Sequence, residues 1–406
     1  MKRLSLLLLN TLLGTMLVAC SSGIDPIEPP SELTRFKPEL KLQSRWSHEV
    51  GGGSGGKYLK MMPLLDDERL FVADRFGSVR AYHSISGERL WQVELERTIN
   101  AGVGEAAGLL LFGGDAELFA VDKQNGELRW SSPLSSEVLS SPVSLGDTIV
   151  AHALDGSISA ISRSDGSVLW RHMEKVPSLT LRGSGKPLII GGDRVVVGNA
   201  SGQGIALNLH NGNLLWRATI ATPRGRTDLE RLVDVDAELV AADGVVYASA
   251  FQGNVAAIDA ASGQLIWTRE ISSQSGIVLD ERALYLSDSS SNVWALSRSN
   301  GATLWKQDKM LHRALGIPAQ QGRYLILGDY AGYLHWLDKE DGHLAARTRV
   351  RNFFEHFPVQ DEFSDDSYVE DRSLLVSPLV EGTRVYGFDQ RGALDAYDVS
   401  ILNSAE

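Results

Sequence analysis

One string recurs along most of this chain and leaves few folds open. A Gly or another small residue is followed fourteen places later by Trp in six copies. The pairs are Gly77 with Trp91, Ala116 with Trp130, Gly156 with Trp170, Gly202 with Trp216, Gly253 with Trp267 and Ser291 with Trp305. A seventh copy, Gly332 with Ala346, has lost the Trp, and an eighth begins at Gly392 and stops soon after Val399. Four residues before the end of each of the first seven copies stands Gly87, Gly126, Gly166, Gly212, Gly263, Gly301 or Gly342, each preceded by Ser, Asn or Asp. Such pairs suit a hairpin turn that needs a positive φ.

Each copy is preceded by further apolar runs ended by turns. Residues 148–153 lie before Asp155 and Gly156, and residues 245–250 before Gln252 and Gly253. One more short strand is expected upstream, for example over 140–144 and 238–241. Four short strands per unit, with the six Trp spaced 38 to 51 residues apart, match the pitch of a propeller blade. A parallel β-helix has much shorter coils, and a sandwich does not repeat its sequence. The chain is therefore expected to be all-β, an eight-bladed β-propeller of four-stranded blades. The eighth copy lacks its outer strand, and residues 42–46, ending in Trp46, resemble the missing piece in context. The N-terminal strand is thus expected to join the last blade and close the ring, which removes a free sheet edge. Seven Trp (46, 91, 130, 170, 216, 267 and 305) would then hold one equivalent place. There each buries a ring against the next blade with its N–H on a backbone carbonyl.

The N-terminus reads as an address rather than as fold. Lys2 and Arg3 precede a short apolar core, as in a secretory signal over 1–19. Leu17, Val18 and Ala19 lead into Cys20, the only cysteine, and this string resembles the bacterial lipobox. Cys20 is expected to carry acyl chains, which together anchor a domain stably. Ser21 after it suggests the outer membrane rather than retention in the inner one. Residues 20–38, with Pro26, Pro29, Pro30 and Pro38, read as an extended tether, and 39–402 as a single propeller.

A net charge of −12 argues against phosphate-backbone binding and against adhesion to anionic lipid. Residues 51–57 match a GxGxxG string and almost a P-loop, but Tyr58 stands where a Mg²⁺-binding Ser or Thr belongs. Residues 59–63 read as a strand rather than the required helix. The nine His show no metal-ligand spacing, and Asp234, Asp236 and Glu238 lack the Gly and terminal Glu of an EF-hand. No catalytic residue, metal ligand or cofactor site is expected.

The string Ala257-Ile258-Asp259-Ala260-Ala261-Ser262-Gly263-Gln264-Leu265-Ile266-Trp267 resembles the repeat of the quinoprotein (PQQ-type) propellers. Those include PQQ-dependent alcohol dehydrogenases and the BamB lipoproteins of the machinery that assembles outer-membrane β-barrels. Many dehydrogenases of this type carry an adjacent cysteine pair, which a chain with one Cys cannot supply. The lipobox, the bare ring and two long segments, 176–183 and 230–236, are similar to the BamB pattern. The resemblance implies a non-enzymatic scaffold on the periplasmic face of the outer membrane, monomeric within a hetero-complex. It implies no cofactor and no nucleic acid. It further implies that Leu179, Leu181, Arg182, Asp234 and Asp236 meet a BamA-like barrel protein with periplasmic domains, and that unfolded barrel precursors are clients. The alternative it leaves is a periplasmic PQQ-dependent dehydrogenase. From the residues alone, Leu179 and Leu181 alternate and point the same way on an extended chain. They read equally as core, and the two Asp as turn residues or as a pair for Arg182 or a basic partner group. Residues 351–372 mix five aromatics with many acids and are read as a solvated loop or as a second partner-binding element.

Overall fold

In the computed structural model, residues 28–181, 183–350 and 372–402 are described. Their secondary structure is eight sheets of four antiparallel strands. Seven are simple meanders, over 64–94, 101–133, 143–173, 188–219, 240–270, 277–307 and 319–349, here blades one to seven. First strands of neighbouring blades touch at several junctions, as between blades one and two, two and three, and three and four, and so face the centre of the ring. In blade one the second strand, Arg69–Ala73, and the third, Ser78–His83, are almost wholly buried, while the outer strand, Arg89–Glu94, alternates towards solvent. That gradient is what sheets packed face to face around an axis produce. Two strand starts fall later than the sequence suggested, at Val143 and Val240. Residues 59–63 are not a strand; blade one begins with Leu64–Asp66.

Blade eight is built from both ends of the chain. Strands Leu379–Glu381, Arg384–Phe388 and Ala393–Ile401 are completed by the N-terminal strand Leu40–Glu49. The register runs antiparallel from Leu40 opposite Ile401 to Glu49 opposite Ala393. The expected closure is present, and it leaves the last blade without an open edge on Ala393–Ile401.

The repeat motif can be read atom by atom. Ala257 lies directly opposite Trp267, where the outer strand bulges. Small Ala leaves room for the indole. Asp259 Oδ1 accepts the amides of Ala261 and Ser262 and so starts the hairpin turn. Gly263 takes φ +74°, and an added Cβ would lie 2.7 Å from the ring of Trp216 of the preceding blade. Trp216 Nε1 donates to Ala260 O of blade five at 3.0 Å. Each indole is thus a wedge between blades, seated on the next blade's glycine and tied to its hairpin. The same N–H bond is made by Trp46 to Ser84, Trp130 to Arg163, Trp170 to Leu209, Trp267 to Arg298 and Trp305 to Lys339. Trp91 keeps the wedge against Gly126, but its N–H finds no acceptor among the described residues.

Blade seven resolves the missing Trp. Ala346 stands opposite Trp336, so indole and small residue have exchanged strands. Trp336 is fully buried, and its Nε1 donates to Gln321 Oε1 at 3.1 Å within the same blade. The volume is conserved while the link to the next blade is not. At that junction Tyr397 donates instead to Arg349 O at 3.0 Å.

Meander topology fixes two distinct faces. The links from each outer strand to the next blade's inner strand lie on the same face as the turns between second and third strands. This linker face carries the long segments 50–63, 174–187 and 220–239. The opposite face carries the tight hairpins. Residues 28–39 run along the ring rather than away from it. Ser31 bonds Leu311 O and Lys309 O, Arg313 reaches Ser31 O, Arg347 lies over Phe36, and Glu39 meets His343.

Candidate partner-binding site

The two long links flanking blade four were the segments singled out from sequence, and they pack on each other. The first, 174–187, is anchored at its start by Glu174. This carboxylate is buried and accepts two bonds from Arg217, at 2.7 and 3.0 Å, and one from His172 at 2.7 Å. Burial alone would raise its pKa; the Arg217 guanidinium overrides that and holds it below the usual range. At the far end His152 Nδ1 donates to Gly185 O at 3.1 Å, and burial holds that imidazole neutral by lowering its pKa.

The second link, 220–239, folds inward over blade four. Val235 N–H donates to Asn199 O, and Phe251 N–H donates to Asp234 O. Val235 O lies 3.0 Å from where a Cβ on Gly185 would be, and a Cβ on Gly183 would collide with the Asp236 carboxylate. Glycine at 183 and 185 is what lets the two links touch.

Leu179 is 44% exposed, and Leu181 is half-buried. Arg182 and Cys20 lie outside the described residues, as do residues 351–371. Asp234 and Asp236, read as a pair for Arg182 or for a basic partner group, are instead only 2% and 9% exposed. The backbone bonds of Val235 and Asp234 draw them into the ring. Asp236 faces Lys60 Nζ at 3.8 Å, from the link that precedes blade one. Asp234 Oδ2 and Asp236 Oδ1 have no hydrogen-bond partner among the described residues. Burial, then the Asp236 carboxylate beside it, pushes Asp234 up to about 8, with Lys60 offsetting only part. Around Lys60, burial works downward, yet Asp236 and its acidic neighbours hold it above its ordinary value.

The sequence reading passed over Leu229, which is 69% exposed at the tip of the second link. A local signal for it existed. Thr227 and Glu230 form a reciprocal cap, with Glu230 Oε2 accepting the amides of Arg226 and Thr227 and Thr227 Oγ1 accepting that of Glu230. The Thr-x-x-Glu spacing that marks such a turn is plain in the chain. The site thus presents apolar side chains on two mutually braced loops, a geometry suited to binding a partner without rearrangement.

The Gly-rich stretch 51–57 forms turns rather than a phosphate cradle leading into a helix. Its amides face protein: Gly52 N–H donates to Asp74 at 3.0 Å and Ser54 N–H to Gln390 O at 2.8 Å. Glu39, Asp338 and His343 form a group with metal-ligand spacing at the outer rim. They are committed to one another and to protein: His343 bonds Glu39 at 2.8 Å and Asp341 at 2.6 Å, and Asp338 pairs with Arg323.

Comparison with known proteins agrees with this architecture. A family model described as "Outer membrane protein assembly factor BamB" matches residues 75–307. The protein of that description from Pseudomonas aeruginosa is 34% identical over 388 residues, covering 95% of this chain and 97% of its own. That from Yersinia pestis is 33% identical over 357 residues, covering 84% of this chain and 91% of its own. Among solved structures, BamB from Moraxella catarrhalis aligns with a TM-score of 0.77 at 23% identity, covering 88% of this chain and 100% of that one. A quinohemoprotein alcohol dehydrogenase from Comamonas testosteroni aligns with a TM-score of 0.66 at 12% identity, over 91% of this chain and 78% of that one, and shares the fold alone. On these matches the chain belongs to the family of outer membrane protein assembly factors named BamB.

Proposed function

We propose that this protein is a non-catalytic scaffold of outer-membrane protein assembly, held by a lipidated Cys20 on the periplasmic face of the outer membrane. Its binding surface is the pair of links flanking blade four, and its partner is a BamA-like barrel protein with periplasmic domains. The observation that carries this reading is the pairing of the two links on one face, with Leu179 and Leu229 projecting and charged groups buried beneath. Exposed apolar side chains on rigid supports are what a hot spot requires, and their neighbours then serve to exclude water. Leu179 touches the partner, and half-buried Leu181 adds to the same apolar link. Arg182 would add the cationic element of the same patch. Asp234 and Asp236 act from underneath, by shaping the loops. Barrel precursors are brought to the partner by this scaffold, and no bond is made or broken in it.

The test is capture of the purified periplasmic domains of the BamA-like protein. Wild type binds them. Leu179→Asp places a charge in the apolar patch and is expected to weaken capture at least tenfold, about 1.4 kcal/mol, while the ring stays folded. Equal capture by Leu179→Asp and wild type refutes the proposal.

A further inference from the structure

We infer that Lys60 is a positioning residue for the partner-binding loops. From the link before blade one it reaches across the linker face, holds Asp236, and through Asp236 fixes the two links that carry Leu179 and Leu229. The inference rests on the reading that these links meet the partner, and it adds a residue that neither link contains.

Three links converge on this ammonium. Lys60 Nζ lies 3.8 Å from Asp236 Oδ2, in the link between blades four and five. It also donates to Gln274 O at 3.3 Å, in the link between blades five and six. The Asp236 carboxylate in turn abuts Gly183, in the link between blades three and four. Tyr58, Leu139 and Ser184 complete the walls of the small cavity at this junction.

The arrangement leaves Asp236 dependent on Lys60. Its side chain is 9% exposed, its second oxygen has no hydrogen-bond donor among the described residues, and Lys60 is the cation paired with it there. Asp236 is the buried partner and the Lys60 side chain is 21% exposed. Removing Lys60 leaves the buried carboxylate without its cation, which costs more than the loss of a fully exposed pair. The stranded carboxylate either takes up a proton or regains water, and the link it abuts at Gly183 is the neighbour that gives way when water enters. Loss of Lys60 is therefore read out in loops on blades three to five, not on blade one.

The test measures hydrogen exchange in the full-length protein and, in parallel, capture of the purified periplasmic domains of the BamA-like protein. In Lys60→Met, amides of both links are expected to exchange roughly tenfold faster or more while blade seven is unchanged. Capture is expected to weaken at least tenfold. Lys60→Arg, which keeps the charge, restores both readouts. Should Lys60→Met fail to fold, Lys60→Gln with Asp236→Asn removes both charges together and strands neither; links as tight as wild type in that folded variant support the inference, and loosened links overturn it. Unchanged exchange in Lys60→Met overturns it directly. Normal capture by Lys60→Met beside lost capture by Leu179→Asp overturns the inference and leaves the binding reading intact. Normal capture by both overturns the binding reading and the inference with it.

Discussion

Blade five offers an internal control for the claim that glycines in the hairpins are seats for indoles. Gly244 and Gly263 have nearly the same backbone, φ +77° and +74°. Around a Cβ added at Gly244 nothing lies within 4 Å, whereas at Gly263 the Trp216 ring lies 2.7 Å away. Replacing either by Ala imposes the left-handed conformation on a residue with a Cβ, about 1–2 kcal/mol. Ala also restricts the unfolded chain, which returns about 0.4–1 kcal/mol. Gly244→Ala should therefore cost about 1 kcal/mol. Gly263→Ala adds an overpacked methyl against a ring wedged between blades, about 1–3 kcal/mol more. Displacing that ring also strains its 3.0 Å bond to Ala260 O. The expected total is about 2–4 kcal/mol. Urea unfolding followed by far-UV circular dichroism, analysed with a common slope, gives the difference. If the two variants lose the same stability to within about 0.5 kcal/mol, the seat has no energetic meaning and the account of the motif is wrong.

Two further outcomes follow from particular contacts. Trp130→Phe strands the Arg163 carbonyl, whereas Trp91→Phe removes an N–H that had no acceptor, so the first should cost about 1 kcal/mol more in the same assay. Burial pushes Asp389 up to about 6, above its unfolded value, despite the amides of Arg391 and Ala393 bonded to it. A raised acid stabilises the fold below its unfolded pKa, and that contribution is lost as pH rises through the folded one. The stability of wild type relative to Asp389→Asn should accordingly fall by about 2–3 kcal/mol between pH 4 and pH 7, measured by urea titration at each pH. A flat difference across that window would show that Asp389 ionises as freely in the fold as in solution.

Most of the ring was written in local spacing. The Asp, Gly and Trp of each copy act on their own hairpin and on the adjoining blade, so a short string carries the whole unit. Trp46 was recognisable for the same reason, and it sits opposite Ala396 as the other indoles sit opposite alanine. The exchange of Trp and Ala in blade seven escaped a search for Trp at one position, because packing conserves the volume between two strands and not the strand that supplies it. Residues 28–39 read as tether from their prolines and polarity. Their attachment depends on His312, Arg313, His343 and Arg347, which lie far along the chain.

The candidate site divides along the same line. Exposure of Leu179 was inferable from a long link with alternating apolar residues. The burial of Asp234 and Asp236 was not, since two acids in a turn-rich segment look solvated until the backbone bonds of Val235 and Phe251 draw them inward. The chain on its own determined the blade, the number of blades and the way the circle shuts, because those depend on contacts between neighbouring repeats at fixed spacing. Only the folded molecule decided which charges are hidden and what neutralises them. Lys60 meets Asp236 through curvature of the whole ring, and no local pattern encodes a distance set by going around it.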